Sequence, residues 1–156
     1  MQYMSSSGDE SNDGGCVFCN RLARDDDEGS HILWRGRYTF VILNAFPYNT
    51  GHLLLMPNQH VEALGDMEPA GRAELFEVCS AATGFITSAM GAEGFNVGMN
   101  LGSAAGAGIP AHLHLHVVPR WSGDTNFMPV TGGTKVLPEM LGDTYAKLRP
   151  LFDTLE

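Results

Sequence analysis

The segment His112-Leu113-His114-Leu115-His116 constrains this chain more than any other stretch. Side chains of a strand alternate between the faces of a sheet. The three histidines therefore share one face, and Leu113, Leu115 and Val117 share the other. Neighbouring imidazoles on that face stand roughly 7 Å apart. One histidine in a fold is ordinary; three at strict alternation are hard to satisfy by accident, and an internal run is not a purification tag. Such a face suits a metal site, or nucleophilic attack on phosphorus by a neutral imidazole that a neighbour orients. One open catalytic metal held by all three is opposed by distance, because ligands i and i+4 on a straight strand lie roughly 13 Å apart.

Other short runs rich in branched and aromatic residues read as strands: His31–Arg35, Tyr38–Asn44, His52–Pro57 and Phe95–Asn100, with His112–Pro119 as the fifth. Gly36 and the Pro47/Asn49/Gly51 cluster separate the first three into an antiparallel meander. A long helix follows them. Its apolar residues Leu75, Val78/Cys79, Ala82, Phe85/Ile86 and Ala89 recur at spacings of three and four. Glu68 is its N-cap, Pro69 its first residue and Gly91 its stop. A last helix runs from about Pro138 to Phe152, across Gly142 and Pro150. The fold class is α+β, an antiparallel five-stranded sheet with one long helix and a C-terminal helix. Residues 1–15, rich in Ser, Gly, Asp and Asn, read as a mobile tail ahead of a single domain over 16–156. Asp25–Gly29 reads as a solvated loop.

Charge narrows the ligands. Nine Lys+Arg stand against 18 Asp+Glu, a net of −9, of which −5 falls in residues 1–30. No basic stripe exists for nucleic acid or an anionic membrane. A phosphate ligand must then be held by backbone amides and imidazoles more than by lysines. The segment Asn100-Leu-Gly-Ser-Ala-Ala-Gly-Ala-Gly, with glycines at 102, 106 and 108, offers such amides directly before the histidines, and Arg120 follows them. No apolar run reaches the roughly 18 residues of a membrane span, and the start lacks a secretory pattern. Three cysteines, two as Cys16-x-x-Cys19, argue against a disulfide framework. The expected location is cytoplasmic. The Cys16/Cys19 pair can give two thiolates to zinc, which alone is half a structural site; Cys79, on the apolar helix face, reads as core.

The run His-Leu-His-Leu-His-Val-Val resembles the motif of the histidine triad (HIT) family. Supporting landmarks follow the family's order: the Cys-x-x-Cys, Asn44, Gly51-His52 before an apolar strand ending in Pro57, His60, Asn100, the triad and Pro119-Arg120. The resemblance covers about Cys16 to Phe152 and is nearest to diadenosine tetraphosphate hydrolases and phosphorylases. It implies that His114 attacks an α-phosphorus and forms a nucleotidyl-imidazole, which water, phosphate or another acceptor then clears. It implies further that His116 binds the α-phosphate, supported by His52. Asn44 holds ribose hydroxyls, Phe40 flanks the base, and Asn100 with the amides around Gly106 and Gly108 lines the phosphate channel. A backbone carbonyl near the triad fixes the tautomer of His114. His60 and His112 complete a structural Cys₂His₂ zinc site with Cys16 and Cys19, and the chain pairs as a homodimer.

One departure is specific. Many hydrolases of the family carry Gln-Ser or Gln-Thr shortly before the triad, where this chain has Gly108-Ile109-Pro110-Ala111. A Gly/Ala-rich loop suits a phosphate dianion as acceptor, so phosphorolysis of diadenosine tetraphosphate is favoured slightly over hydrolysis. The alternative is a nucleotide-binding module with weak hydrolase activity on nucleoside phosphoramidates or other AMP conjugates. The segment Gly123–Phe127 reads as a substrate-facing turn.

Overall fold

The computed structural model describes residues 15–125, 131–132 and 139–155. The expected tail and Pro138 lie outside them, apart from Gly15. Five strands, β1 (Ile32–Arg35), β2 (Thr39–Leu43), β3 (Leu53–Pro57), β4 (Gly94–Gly98) and β5 (Leu115–Arg120), form one sheet in the order β1-β2-β3-β5-β4. Every neighbouring pair is antiparallel. The long helix, here α3, spans Pro69–Met90 with Glu68 at its N-cap and Gly91 in the left-handed conformation at its C-cap. The last helix, α4, spans Leu141–Phe152. Gly142 costs it little in the first turn, whose N–H groups have no intrahelical partner.

The sheet is apolar on both faces because β2 and β3 are continuous apolar runs rather than alternating ones. Leu33, Val41, Leu43, Leu53, Leu55, Leu113, Leu115 and Val117 pack with Leu75, Val78, Ala82 and Ile86 of α3 and with Leu148 and Phe152 of α4. The opposite residues, Ile32, Phe40, Ile42, Leu54 and Met56, pack with Phe18 of a short helix α1 (Val17–Leu22). The alternation through the triad therefore sends its leucines to the main core and its histidines toward the α1 side. Among the expected helix-face residues, Ala89 is exposed; Cys79 is buried in the core as expected.

Strand β4 covers Gly94–Gly98 where Phe95–Asn100 was expected, and three further differences have local reasons. Asp25–Gly29 is not all loop: Asp27–Ser30 forms α2, because the Asp26 carboxylate caps it by accepting from the Gly29 N–H at 2.9 Å. His31, in the left-handed region at φ 58, ends α2 instead of opening β1. The ladder of β5 starts only at Leu115, opposite Leu55. Ahead of it the chain is held by other bonds, the Leu113 N–H donating to the Val61 carbonyl at 2.7 Å and the His112 ring bonding Pro57. No helix among the described residues is long and apolar enough to cross a membrane.

Candidate active site and metal centre

The structure brings His52, His114 and His116 into one cluster. His116 sits in β5 opposite Leu54 of β3, which places it beside His52, the residue before that strand. The His52 Nε2 and His116 Nδ1 atoms are 3.0 Å apart, and the His114 and His116 ring centroids 5.0 Å.

The partners of each ring assign its tautomer. The Tyr48 N–H donates to His52 Nδ1 at 3.0 Å, so that nitrogen carries a lone pair and Nε2 carries the proton. His52 Nε2–H then donates to His116 Nδ1, and the proton of His116 is on Nε2. That atom is buried with no hydrogen-bond partner among the described residues. His114 runs the other way. Its Nδ1–H donates to the His112 carbonyl at 2.7 Å, which leaves the Nε2 lone pair open. The site thus presents one nucleophilic nitrogen and one hydrogen-bond donor on adjacent rings. Burial first, and His114 second, lower the His116 pKa to about 4, so the ring is neutral near pH 7.

Asn44 lies at the same end. Its Oδ1 accepts from the Phe46 N–H at 3.0 Å and its Nδ2 is 3.2 Å from His52 Nδ1. Beside it runs a groove of about 230 Å³ whose lining includes Val17, Phe18, Arg21, Ile42, Phe46 and Ile109. Phe40 is not in that lining. Its ring is fully buried and packs edge-on to His112 at 6.5 Å, so it has no face for a base. Ile42, two residues nearer Asn44 on the same strand face, occupies the place expected of it. The face parity was legible in the sequence, but the depth was not.

Asn100 stands two residues beyond Gly98, which pairs with His116, so the loop leaves the sheet beside the triad. Gly102 and Gly106, at φ +79 and +83, bracket a 3-10 turn over Ser103–Ala105, while Gly108 has ordinary φ. Arg120 is turned elsewhere. Its Nε and Nη2 grip Asp124 at 2.6 Å each and its Nη1 donates to Asn96 at 3.0 Å, at the end of β5 remote from His114. These contacts, and not the histidine cluster, engage the arginine that the sequence suggested as a phosphate ligand. Asp124 likewise serves the fold, and Asn126 and Phe127 of the expected substrate-facing turn lie outside the described residues.

Sequence reasoning missed Tyr48, Val17, Phe18, Arg21 and Ile109. The first follows the Asn44 motif without being part of it. The others come together only when α1 and the glycine loop pack over the sheet.

Cys16, Cys19, His60 and His112 form a second cluster, with one donor atom of each within 4.8 Å of all the others. His112 Nδ1 lies 3.4 and 3.5 Å from the two sulfurs, and His60 Nδ1 lies 3.4 Å from Cys19 Sγ. Tetrahedral thiolate–imidazole coordination has sulfur–nitrogen edges of about 3.6 Å, so the four groups can hold a metal ion. His112 Nε2–H donates to the Pro57 carbonyl at 3.0 Å, which aims the Nδ1 lone pair at the sulfurs. Burial keeps the His112 imidazole below its ordinary pKa, the neutral form that a metal binds. Burial and the neighbouring Cys16 push the Cys19 thiol up, an effect that a cation would reverse.

Three histidines on one face, running into β5 beside a Cys₂His₂ cluster, define a histidine triad protein in fold and site. A model of the HIT domain matches residues 27–123, and the chain belongs to that family. An AP-4-A phosphorylase from Mycobacterium tuberculosis is 44% identical over 118 residues, 76% of this chain and 60% of that protein. A bis(5'-nucleosyl)-tetraphosphatase (asymmetrical) from Schizosaccharomyces pombe is 30% identical over 96 residues, 62% of this chain and 52% of that one. The chain thus spans three fifths of the first relative and about half of the second. Among solved structures, a zinc-bound histidine triad family protein from Mycobacterium smegmatis superposes with a TM-score of 0.70 and 27% identity, over 88% of this chain and 93% of that one.

Proposed function

We propose that this chain is a nucleotidyl transferase that cleaves dinucleoside polyphosphates, diadenosine tetraphosphate foremost, through a nucleotidyl intermediate on His114. The observation that carries the reading is the set of ring contacts, His114 Nδ1 on the His112 carbonyl and His116 Nδ1 on His52 Nε2, from which opposite tautomers follow: a lone pair on His114 Nε2 and a proton on His116 Nε2. His114 Nε2 attacks the α-phosphorus. The bond from phosphorus to the bridging oxygen breaks, and the nucleoside polyphosphate leaves as an anion with the electron pair. His116 Nε2–H binds a non-bridging oxygen, where charge builds in the transition state. His52 holds His116 in the donating tautomer. The nucleoside lies in the groove bounded by Val17, Phe18, Ile42 and Ile109, with Asn44 at the ribose. Asn100 and the amides around Gly106 and Gly108 take the distal phosphates. The relatives' names support the substrate class.

Phosphate is the favoured acceptor. Its oxygen attacks the same phosphorus, the phosphorus–nitrogen bond breaks, and His114 recovers its lone pair as a nucleoside diphosphate forms. The loop over residues 101–111 supports this, since it offers amides and small side chains to a dianion. Products from diadenosine tetraphosphate at millimolar phosphate test it. ADP plus ATP is expected. AMP plus ATP at a rate indifferent to phosphate would establish hydrolysis.

The metal is zinc, held by Cys16, Cys19, His60 and His112, and its role is structural: it clips α1 to the sheet beside the site. The chain is a homodimer. The β1 edge is covered by α4, with Tyr145 Oη donating to the Ile32 carbonyl at 3.2 Å and Arg149 Nη1 to that of Leu33 at 2.8 Å. The β4 edge carries exposed Asn96, Val97 and Gly98, and a second copy related by a two-fold axis would complete it.

A further inference from the structure

The connection between β2 and β3, residues 44–52, is tied at its middle to the end of β5. Asn49 Nδ2 donates to the Pro119 carbonyl at 3.0 Å and to Asp124 Oδ2 at 2.9 Å. Asp124 also accepts from Arg120 and from the Trp121 N–H, and the Arg120 bonds above all bring its carboxyl down to about 2. Such a connection has little freedom left, and Tyr48 sits next to its anchor. The Tyr48 ring lies 5.7 Å from that of His116 with the planes 20° apart, and 4.8 Å from that of His52. Tyr48 is 42% exposed, whereas His52 is 1% exposed. The ring therefore stands between the histidine pair and solvent.

We propose that Tyr48 is a positioning residue of this site, its ring fixing the plane of the His116 imidazole and shielding the His52–His116 hydrogen bond from water. The proposal rests on the reading of His116 as the phosphate-facing donor. The hydrogen bond from His52 holds the His116 ring at Nδ1, and its plane depends on the rings packed against it, His114 edge-on at 5.0 Å and Tyr48 nearly parallel at 5.7 Å. The parallel ring on its face holds that plane and keeps Nε2–H aimed. The same cover keeps water from competing at Nδ1. Among the described residues, the titratable groups whose rings pack against His116 are His52 just ahead of β3, His114 from its own segment, and the Tyr48 phenol. Of these three, Tyr48 alone is exposed. Its hydroxyl is not needed for this work, so phenylalanine should replace it and alanine should not.

The test follows the imidazole nitrogen resonances of His116 through a pH titration in the whole chain, with wild type, Tyr48→Phe and Tyr48→Ala compared. Wild type and Tyr48→Phe should titrate alike. In Tyr48→Ala the midpoint should rise by about one unit or more toward the ordinary value of about 6.5. With diadenosine tetraphosphate and phosphate, Tyr48→Ala should lower kcat about tenfold with KM changed less than about threefold, and Tyr48→Phe should stay within about twofold. If Tyr48→Ala does not fold, Tyr48→Val, which also lacks the ring, takes its place with the same expectations. An unmoved His116 midpoint in the ring-less variant overturns the proposal, and so does a Tyr48→Phe variant that behaves like it. A wild type that leaves diadenosine tetraphosphate intact overturns the functional reading instead, and the titration still decides the role of Tyr48.

Discussion

His114 Nδ1 lies 2.7 Å from the backbone carbonyl of His112, so a residue of the Cys16/Cys19/His60/His112 cluster sets the tautomer of the proposed nucleophile. His114→Ala removes the only ring of the triad with an open lone pair in the site. It should abolish covalent nucleotidylation and turnover while nucleotide binding stays measurable by calorimetry. His116→Ala should cost less, about 10²- to 10³-fold in kcat, the usual effect of losing one donor to a developing oxyanion. Undiminished turnover by purified His114→Ala would remove the nucleophile from this reading.

Purified chain should carry about one zinc per molecule by elemental analysis. Cys16→Ser should lose the metal, lower the melting temperature and raise amide exchange in α1, because α1 starts between the two thiolates. Protein purified without chelators and free of zinc would count against the site.

Light scattering should give a dimer, near twice the chain mass of 16.8 kDa. Val97, 45% exposed on β4, lies on the open edge. Val97→Lys puts a charge there and should yield a monomer, as charged edge strands do elsewhere. A dimer that survives this change does not use β4.

Acid should weaken the fold in two windows. The folded pKa of His116, about 4, lies below its ordinary 6.5. Between these values the unfolded chain binds the extra proton. Stability is fully present above about 6.5 and falls as pH drops toward about 4. Asp124 acts lower, because its folded pKa of about 2 lies under an ordinary 3.8; its contribution fades as pH falls through that interval. Chemical denaturation at stepped pH checks this. His116→Gln should flatten the upper window and leave the lower one.

The long helix was legible to its caps, since Pro69 and Gly91 act through the backbone and the apolar spacing needs no tertiary context. The shared face of His112, His114 and His116 and the Cys16/Cys19 pair were legible from spacing, whereas the grouping of His60 and His112 with the cysteines, and of His52 with the triad, came from the family resemblance. What the sequence hid depends on packing between distant segments. Phe40 and Ile42 share a strand face, and only the seating of α1 decides that Phe40 is core and Ile42 borders the groove. Arg120 directly follows the strand expected over His112–Pro119, yet its partner is Asp124, a contact fixed by how the chain turns after β5. The α2 turn was hidden for the opposite reason. A local cap from Asp26 outweighed a composition that reads as loop.

The φ angles of Gly102 and Gly106 set how this loop can change through mutation. A β-carbon at Gly102, Gly106 or Gly108 would meet open space. Crowding therefore constrains none of the three, and backbone conformation alone separates them. At 102 and 106 every L-residue is strained by the left-handed φ. At 108 alanine or serine enters freely. A lineage exploring new leaving groups could thus place side chains at 108 and at Ser103–Ala105 while the bend between them keeps its shape. The part of the loop that varies and the part that holds its form are written into adjacent positions.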